Sequence, residues 1–292
     1  MSYIGKTILI TGGTGYIGSL LVESFRKIPC TVIVCTDDVS NKSTWEHFID
    51  HNIDFIFHLA AVEVGHDTIE RDLNVNAVSV LHMLQTCVQK NCNPKIIFSS
   101  STNVFGNVDE DIVNENIESN PLAEWSAHKL LAENYLKIYS SRYGLKTIVL
   151  RLPNVYGPVP KGETINRMVI NKVIKYAIEN KQLKLYGNKG CYRDFVFVED
   201  VVDAFMKIGL AEDFDGSFFV VGSNELVTIS DVWNIIADKI GDVSISVEGV
   251  ELDPIEMRSF VGDYTKLNST VGWKPKVSLE TGIKKTVEYL RS

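Results

Sequence analysis

The chain has 292 residues, 45% of them apolar and 23% charged, which suits one or two globular domains and excludes disordered or collagen-like structure. Its 29 Lys+Arg against 37 Asp+Glu leave a formal charge of -8, so no overall basic field exists to hold a nucleic-acid backbone. No apolar run approaches the roughly 18 residues of a membrane span, and the N-terminus runs straight into a strand-and-glycine pattern rather than a cleavable leader. We therefore expect a cytoplasmic protein with neither nucleic acid nor membrane as partner.

In chain order, Lys6 to Thr11 is a short β-branched run ending at a glycine cluster, and Tyr16 to Lys27 continues with helical spacing. Apolar runs follow at Thr31 to Cys35, Phe55 to Leu59, Lys95 to Ser99 and Thr147 to Leu150, with helical segments near 43–51, 71–90 and 123–142 between them. Strand and helix in alternation predict an α/β fold, a doubly wound parallel sheet of the Rossmann kind. After Pro153 the pattern loosens into Gly/Pro punctuation, a helix near 164–180 and a last helix near 279–290, read as a smaller, interleaved C-terminal α/β domain. The division expected is 1–155, rejoined by about 190–210, and mainly 156–292. Cys30, Cys35, Cys87, Cys92 and Cys191 form no CxxC pair, so reduced thiols are expected and no metal. His47 and His51 stand four apart on a predicted helix, but no further acid or Cys is clearly placed with them.

Gly12-Gly13-Thr14-Gly15-Tyr16-Ile17-Gly18 lies after a strand and opens a helix. Glycines there let the chain turn sharply and let a pyrophosphate approach the backbone N–H groups of the helix start. Asp37, 19 residues past Gly18 and followed by Asp38, stands where an acid accepts hydrogen bonds from an adenosine ribose and repels a 2′-phosphate. With no Arg nearby, NAD is favoured over NADP.

Six ordered motifs carry a resemblance: the glycine turn, His58-Leu59-Ala60-Ala61, Ser99 to Gly106 (SSSTNVFG), Arg151 to Pro158 (RLPNVYGP), Arg193 to Val201 (RDFVFVEDV) and Val271 to Pro275 (VGWKP). Over nearly its whole length the chain resembles the extended short-chain dehydrogenase/reductase family of nucleotide-sugar epimerases, dehydratases and reductases. The resemblance implies a Rossmann domain carrying NAD and a C-terminal domain that holds a nucleoside diphosphate sugar. It assigns Gly12, Gly15, Tyr16, Ile17, Gly18, Asp37, Asp38, Leu59, Ala60, Ala61, Ser99, Lys129 and Pro153 to the cofactor, and Ser101, Asn154, Arg193 and Arg258 to the substrate. It also implies a homodimer paired through the helices at 71–90 and 123–142. Between the second strand and the helix near Ser43 the chain is shorter than the family pattern, which leaves the separate roles of Asp37 and Asp38 open.

In that family a Ser or Thr and a Tyr-x-x-x-Lys pair perform the acid/base work, with the Tyr taking a sugar-hydroxyl proton as hydride moves to the nicotinamide. Ser101 and Lys129 match the Ser and Lys, but the Tyr position is Trp125, and no Tyr in the chain is followed by Lys four residues on. An indole N–H has no pKa within reach of physiological pH, so Trp125 is no general base. Substitutes are Ser101 through water, His128, or Glu63 and His66 after the HLAA motif. On a bland reading Trp125 simply packs, and His58 is a hydrogen-bonded core residue. Dehydratases need an Asp-Glu pair after the Ser, and decarboxylases typically carry a Glu there. Thr102 and Asn103 are neutral and do neither job. What remains is hydride transfer at carbon 4 of the sugar by an epimerase, dehydrogenase or reductase, or else a binding protein that kept the pocket and lost the base.

Overall fold

The computed structural model describes residues 2–50, 52–62, 68–159, 168–186, 191–248 and 259–292. Its centre is a parallel sheet of six strands, β1 (Thr7–Thr11), β2 (Thr31–Cys35), β3 (Phe55–His58), β4 (Lys95–Ser101), β6 (Thr147–Leu152) and β10 (Phe218–Val220). In space they run β2-β1-β3-β4-β6-β10. Only one strand lies outside β1, against two in the 3-2-1-4-5-6 order of dinucleotide folds. The order still reverses between β1 and β3, and ligands of open α/β sheets bind in the crevice outside the carboxyl ends at such a point.

The period of two along each strand separates the helix layers. Ile8 and Ile10 face one core with Leu21, Val22 and Phe25 of α1 (Tyr16–Arg26) and Val201 and Phe205 of α7 (Val198–Ile208). Leu9 faces the other, with Trp45 of α2 (Lys42–Phe48), Val80 and Met83 of α4 (Ser79–Gln89), and Ala132 and Leu136 of α5 (Glu124–Tyr143). Full burial of each Ile, Leu, Val, Phe or Met among them contributes about 1.5–3 kcal/mol.

The helix expected at 71–90 begins earlier and is not uniform: α3 (Ile69–Leu73), capped by Thr68, passes through a π turn at Asn74–Val78 into α4. The helix near 43–51 ends at Phe48. Where sequence shows only punctuation after Pro153, β7 (Asn154–Tyr156) pairs in parallel with β9 (Phe195–Phe197).

A second group of elements shares its own core: α6 (Val169–Asn180), β8 (Gln182–Tyr186), α8 (Ile229–Ile240) and α10 (Leu279–Arg291) enclose Ile174, Leu183, Trp233 and Ile283, and β8 pairs with β11 (Ser244–Glu248). The halves interleave, since β5 (Ile112–Val113) pairs with β12 (Val261–Gly262), and Trp273, after α9 (Thr265–Val271), lies in the core beside α7. None of the five cysteines forms a disulfide. Among the described residues no helix is long and apolar enough to cross a membrane.

Candidate active site

A cleft of about 1040 Å³ opens at the carboxyl ends of β1 and β3, where the strand order reverses. Its floor is the glycine turn. Gly12 adopts φ +65°, and a Cβ there would stand 2.7 Å from the Ala60 backbone nitrogen. A Cβ on Gly18 would stand 2.1 Å from the Gly12 carbonyl oxygen, so the first turn of α1 lies directly on the loop. Gly15 caps α1 with no side-chain hydrogen bond, leaving the first-turn N–H groups to an external acceptor at the positive helix end. Gly12, Gly15, Tyr16, Ile17 and Gly18 all line the cleft, so the cradle fits a dinucleotide pyrophosphate.

Asp37, Asp38, Leu59, Ala60, Ala61, Ser99 and Pro153 line the same cleft. The two acids differ. Asp38 Oδ1 accepts from the Ser40 amide and hydroxyl at 2.9 and 2.7 Å, and Oδ2 accepts from Arg71 Nη1 at 2.7 Å. The Arg71 guanidinium is the main cause holding this carboxyl below its ordinary range. Asp37 is exposed, and its carboxylate makes no such bond among the described residues. The expectation that no Arg stands by these acids is therefore corrected: α3 brings Arg71 back across 33 residues of chain.

The far wall is α5. Trp125 in its first turn and Lys129 one turn on both line the cleft. Lys129 is buried, its Nζ donating to the Ser99 carbonyl at 3.0 Å and lying 4.7 Å from the Phe98 ring centre. That burial pushes its pKa down to about 8. α5 is pinned from below by a buried trio: Ser100 Oγ donates to Glu133 Oε1 at 2.5 Å and Arg151 Nη2 to Glu133 Oε2 at 2.7 Å. Deleting Glu133 or Arg151 would strand the buried charge of the other.

Of the other expected residues, Asn154 alone among the described ones lines the cleft. Ser101 Oγ accepts from the Asn103 amide at 3.1 Å, capping the short turn at Thr102–Phe105, and Asn103 rather than Ser101 lines the cleft. His128 Nδ1 lies 3.1 Å from Asp72 Oδ1, held on α3 and outside the cleft lining, because the helix turns it about 100° from Lys129. Asp72 in turn accepts from Asn76 Nδ2, which also donates to the Val62 carbonyl, so the π turn ties down the loop after β3. His58 is fully buried, with Nδ1 2.7 Å from Thr11 Oγ1 and Nε2 3.3 Å from Ser79 Oγ, and burial pushes its pKa down to about 3. Asn154 lines the cleft while its Nδ2 donates to the Asp194 carbonyl. Arg193 Nη1 donates to the Tyr192 carbonyl, and Arg193 is not among the lining residues. Arg258, Glu63, His66 and His51 lie outside the described residues. Among the described residues no group of three or more His, Cys, Asp or Glu is placed to hold a metal ion.

Sequence reasoning missed Arg71 and Lys172, both in the lining. Lys172 sits in the first turn of α6 and carries no local signature. Arg71 sits in a segment where only its spacing from the HLAA motif could have drawn attention.

Comparison with known proteins agrees with this geometry. The chain is 28% identical over 309 residues to a putative UDP-glucose 4-epimerase of Methanocaldococcus jannaschii, covering 98% of each protein. Its structure resembles that of the UDP-glucose 4-epimerase of Thermotoga maritima with UDP-glucose at a TM-score of 0.87, with 29% identity and 98% of each chain covered. The UDP-glucose 4-epimerase of Thermus thermophilus in complex with NAD gives 0.85, with 26% identity and 98% and 99% coverage. Other relatives include a dTDP-glucose 4,6-dehydratase and a dTDP-4-dehydro-6-deoxyglucose reductase. The NAD dependent epimerase/dehydratase family model matches residues 8–222. With a glycine cradle at the switch point of a parallel sheet and that match over most of its length, the chain belongs to the NAD-dependent epimerase/dehydratase family.

Proposed function

We propose that the protein performs hydride transfer at carbon 4 of a nucleoside diphosphate sugar, as a 4-epimerase, 4-dehydrogenase or 4-keto reductase. The observation that carries this reading is one cleft holding both the glycine cradle and Lys129, with Asn154 on its rim. NAD, when bound, supplies the hydride acceptor and donor. The larger sheet layer would hold the cofactor and the C-terminal elements the sugar nucleotide.

In such a reaction the carbon-4 hydroxyl would give its proton to a base as hydride left for bound NAD, and return of hydride to the opposite face of the ketone, with the proton going back to its oxygen, would give the epimer. Trp125, which stands where the family resemblance expects the Tyr, offers an N–H donor and no base. Lys129 is the titratable group on the α5 wall of the cleft, and with its pKa near 8 part of it is neutral at physiological pH. We assign it the proton, since His128 is turned onto Asp72. A positioned base is worth about 10²- to 10⁴-fold, whereas placement of the reacting atoms supplies about 7–11 kcal/mol, so hydride transfer survives the loss of a phenol at reduced rate. The helices α4 and α5 carry exposed Val88, Ile138 and Tyr143, consistent with the proposed homodimer.

Purified protein given UDP-, GDP- and dTDP-sugars should reduce bound NAD, read at 340 nm, or yield a new epimer by NMR. Trp125→Tyr should raise the rate. Trp125 also favours a second reading, a sugar-nucleotide-binding protein without turnover. Silence of the wild type across the panel, with activity only in Trp125→Tyr, would establish that reading instead.

A further inference from the structure

We propose that the indole of Trp125 is a cation–π platform for the oxidised nicotinamide ring, biasing the protein towards NAD⁺ over NADH. The inference rests on the cleft being the dinucleotide site and is independent of the sugar reaction.

The four tryptophans of the chain fall into two kinds. Trp45, Trp233 and Trp273 are buried in hydrophobic cores, and their indole N–H groups donate to the carbonyls of Val39, Lys184 and Asp200 at 2.8, 3.1 and 2.9 Å. Trp125 is half-buried, lines the cleft and belongs to none of these cores. Among the described residues its ring meets no aromatic side chain or cation, and its N–H has no acceptor. An indole that packs is held over its faces by apolar neighbours, whereas one left open in a cleft offers those faces to a ligand. Packing is therefore set aside as its role.

Position along the sheet selects the ligand. In spatial order the cleft is lined by Asp37 beyond β2, the glycine turn beyond β1, Ala60 beyond β3, Ser99 near the end of β4 and Pro153 beyond β6. With a pyrophosphate on the glycine turn and adenosine on the β2 side, the nicotinamide half is left the β4–β6 side. The wall there is the start of α5, with Trp125 and Lys129 one turn apart. The oxidised ring is a pyridinium cation and the reduced ring is neutral. An indole face attracts a cation more strongly than any other side-chain ring, so it stabilises the oxidised form selectively. Lys129 repels that cation when protonated, and the two side chains act in opposite senses on the redox pair. A tenfold bias from the indole lowers the potential of the bound couple by about 30 mV, which makes bound NADH a stronger hydride donor.

The test is equilibrium binding of NAD⁺ and NADH to the full-length protein without any sugar, read by calorimetry in wild type, Trp125→Phe and Trp125→Leu. The ratio of the NADH to the NAD⁺ dissociation constant should fall about tenfold from wild type to Trp125→Leu, with Trp125→Phe between them. NAD⁺ should also quench part of the wild-type tryptophan fluorescence, and the quench should vanish in both variants, since the other three indoles are buried away from the cleft. A side chain that only fills space would change both affinities alike and leave their ratio fixed. An unchanged ratio, NAD⁺ binding that leaves the fluorescence untouched, or a quench that survives in Trp125→Leu would overturn the platform and leave the cofactor site standing. Wild type that binds neither nucleotide would overturn both.

Discussion

The two walls of the cleft are built by different means. The floor is seven consecutive residues, Gly12 to Gly18, whose function is backbone geometry: a positive φ at Gly12 and close approaches at Gly12 and Gly18 that no side chain would permit. The rest of the site is held together by contacts between segments remote in sequence. Lys129 reaches Ser99, His128 reaches Asp72 and Arg71 reaches Asp38 across 30, 56 and 33 residues. A backbone site needs a local motif and tolerates little change, whereas a side-chain site can exchange its chemistry while the fold persists. Trp125 lies on the second kind of wall.

That contrast can be broken by experiment. The largest effect is expected at Lys129→Met, which should lower turnover about 10²- to 10⁴-fold with the fold retained. In the wild type the rate should climb with pH and level off above about 8, as the Lys129 ammonium gives up its proton. A rate independent of pH from 6 to 9 would remove Lys129 from the proton path. Gly18→Ala comes next, because its Cβ meets backbone and not a flexible side chain. It should cost roughly 1–3 kcal/mol in thermal or urea unfolding, with loss of nucleotide retention. Wild-type stability in that variant would mean the floor is less rigid than its contacts imply.

At neutral pH the smallest effect concerns His58, which touches both β1 and α4 and makes itself felt on acidification. Its folded pKa, about 3, lies below the ordinary 6.5, so between these values the unfolded chain binds a proton that the folded protein refuses. Stability from this side chain is complete above about pH 6.5 and falls as the pH drops towards 3, by about 1.4 kcal/mol per pH unit. His58→Gln should flatten that decline in urea titrations; an unchanged slope would place the acid sensitivity elsewhere.

Much of this was readable beforehand. The alternation of apolar runs and helices led to the parallel sheet, and the cradle residues lie where the glycine spacing put them, because both depend on interactions between near neighbours. The reading failed where a partner came from afar. Asp37 and Asp38 look interchangeable in sequence, and only Arg71 separates them. Ser101 and His128 looked available, yet one caps a turn and the other is clamped on α3. The strand at Asn154–Tyr156 was hidden because its pairing partner is Phe195–Phe197.

By itself, then, the amino-acid sequence determined the layered α/β fold, the glycine turn at the start of α1 and the absence of a phenol at position 125. All three are properties of local pattern, of period, of glycine placement or of residue identity. Tertiary structure alone decided which carboxylate meets a guanidinium, which helix face holds Lys129 in the cleft and away from water, and where the strand order reverses. Those outcomes depend on distances between segments that no periodicity encodes, and on burial, which sets the charge a side chain can carry.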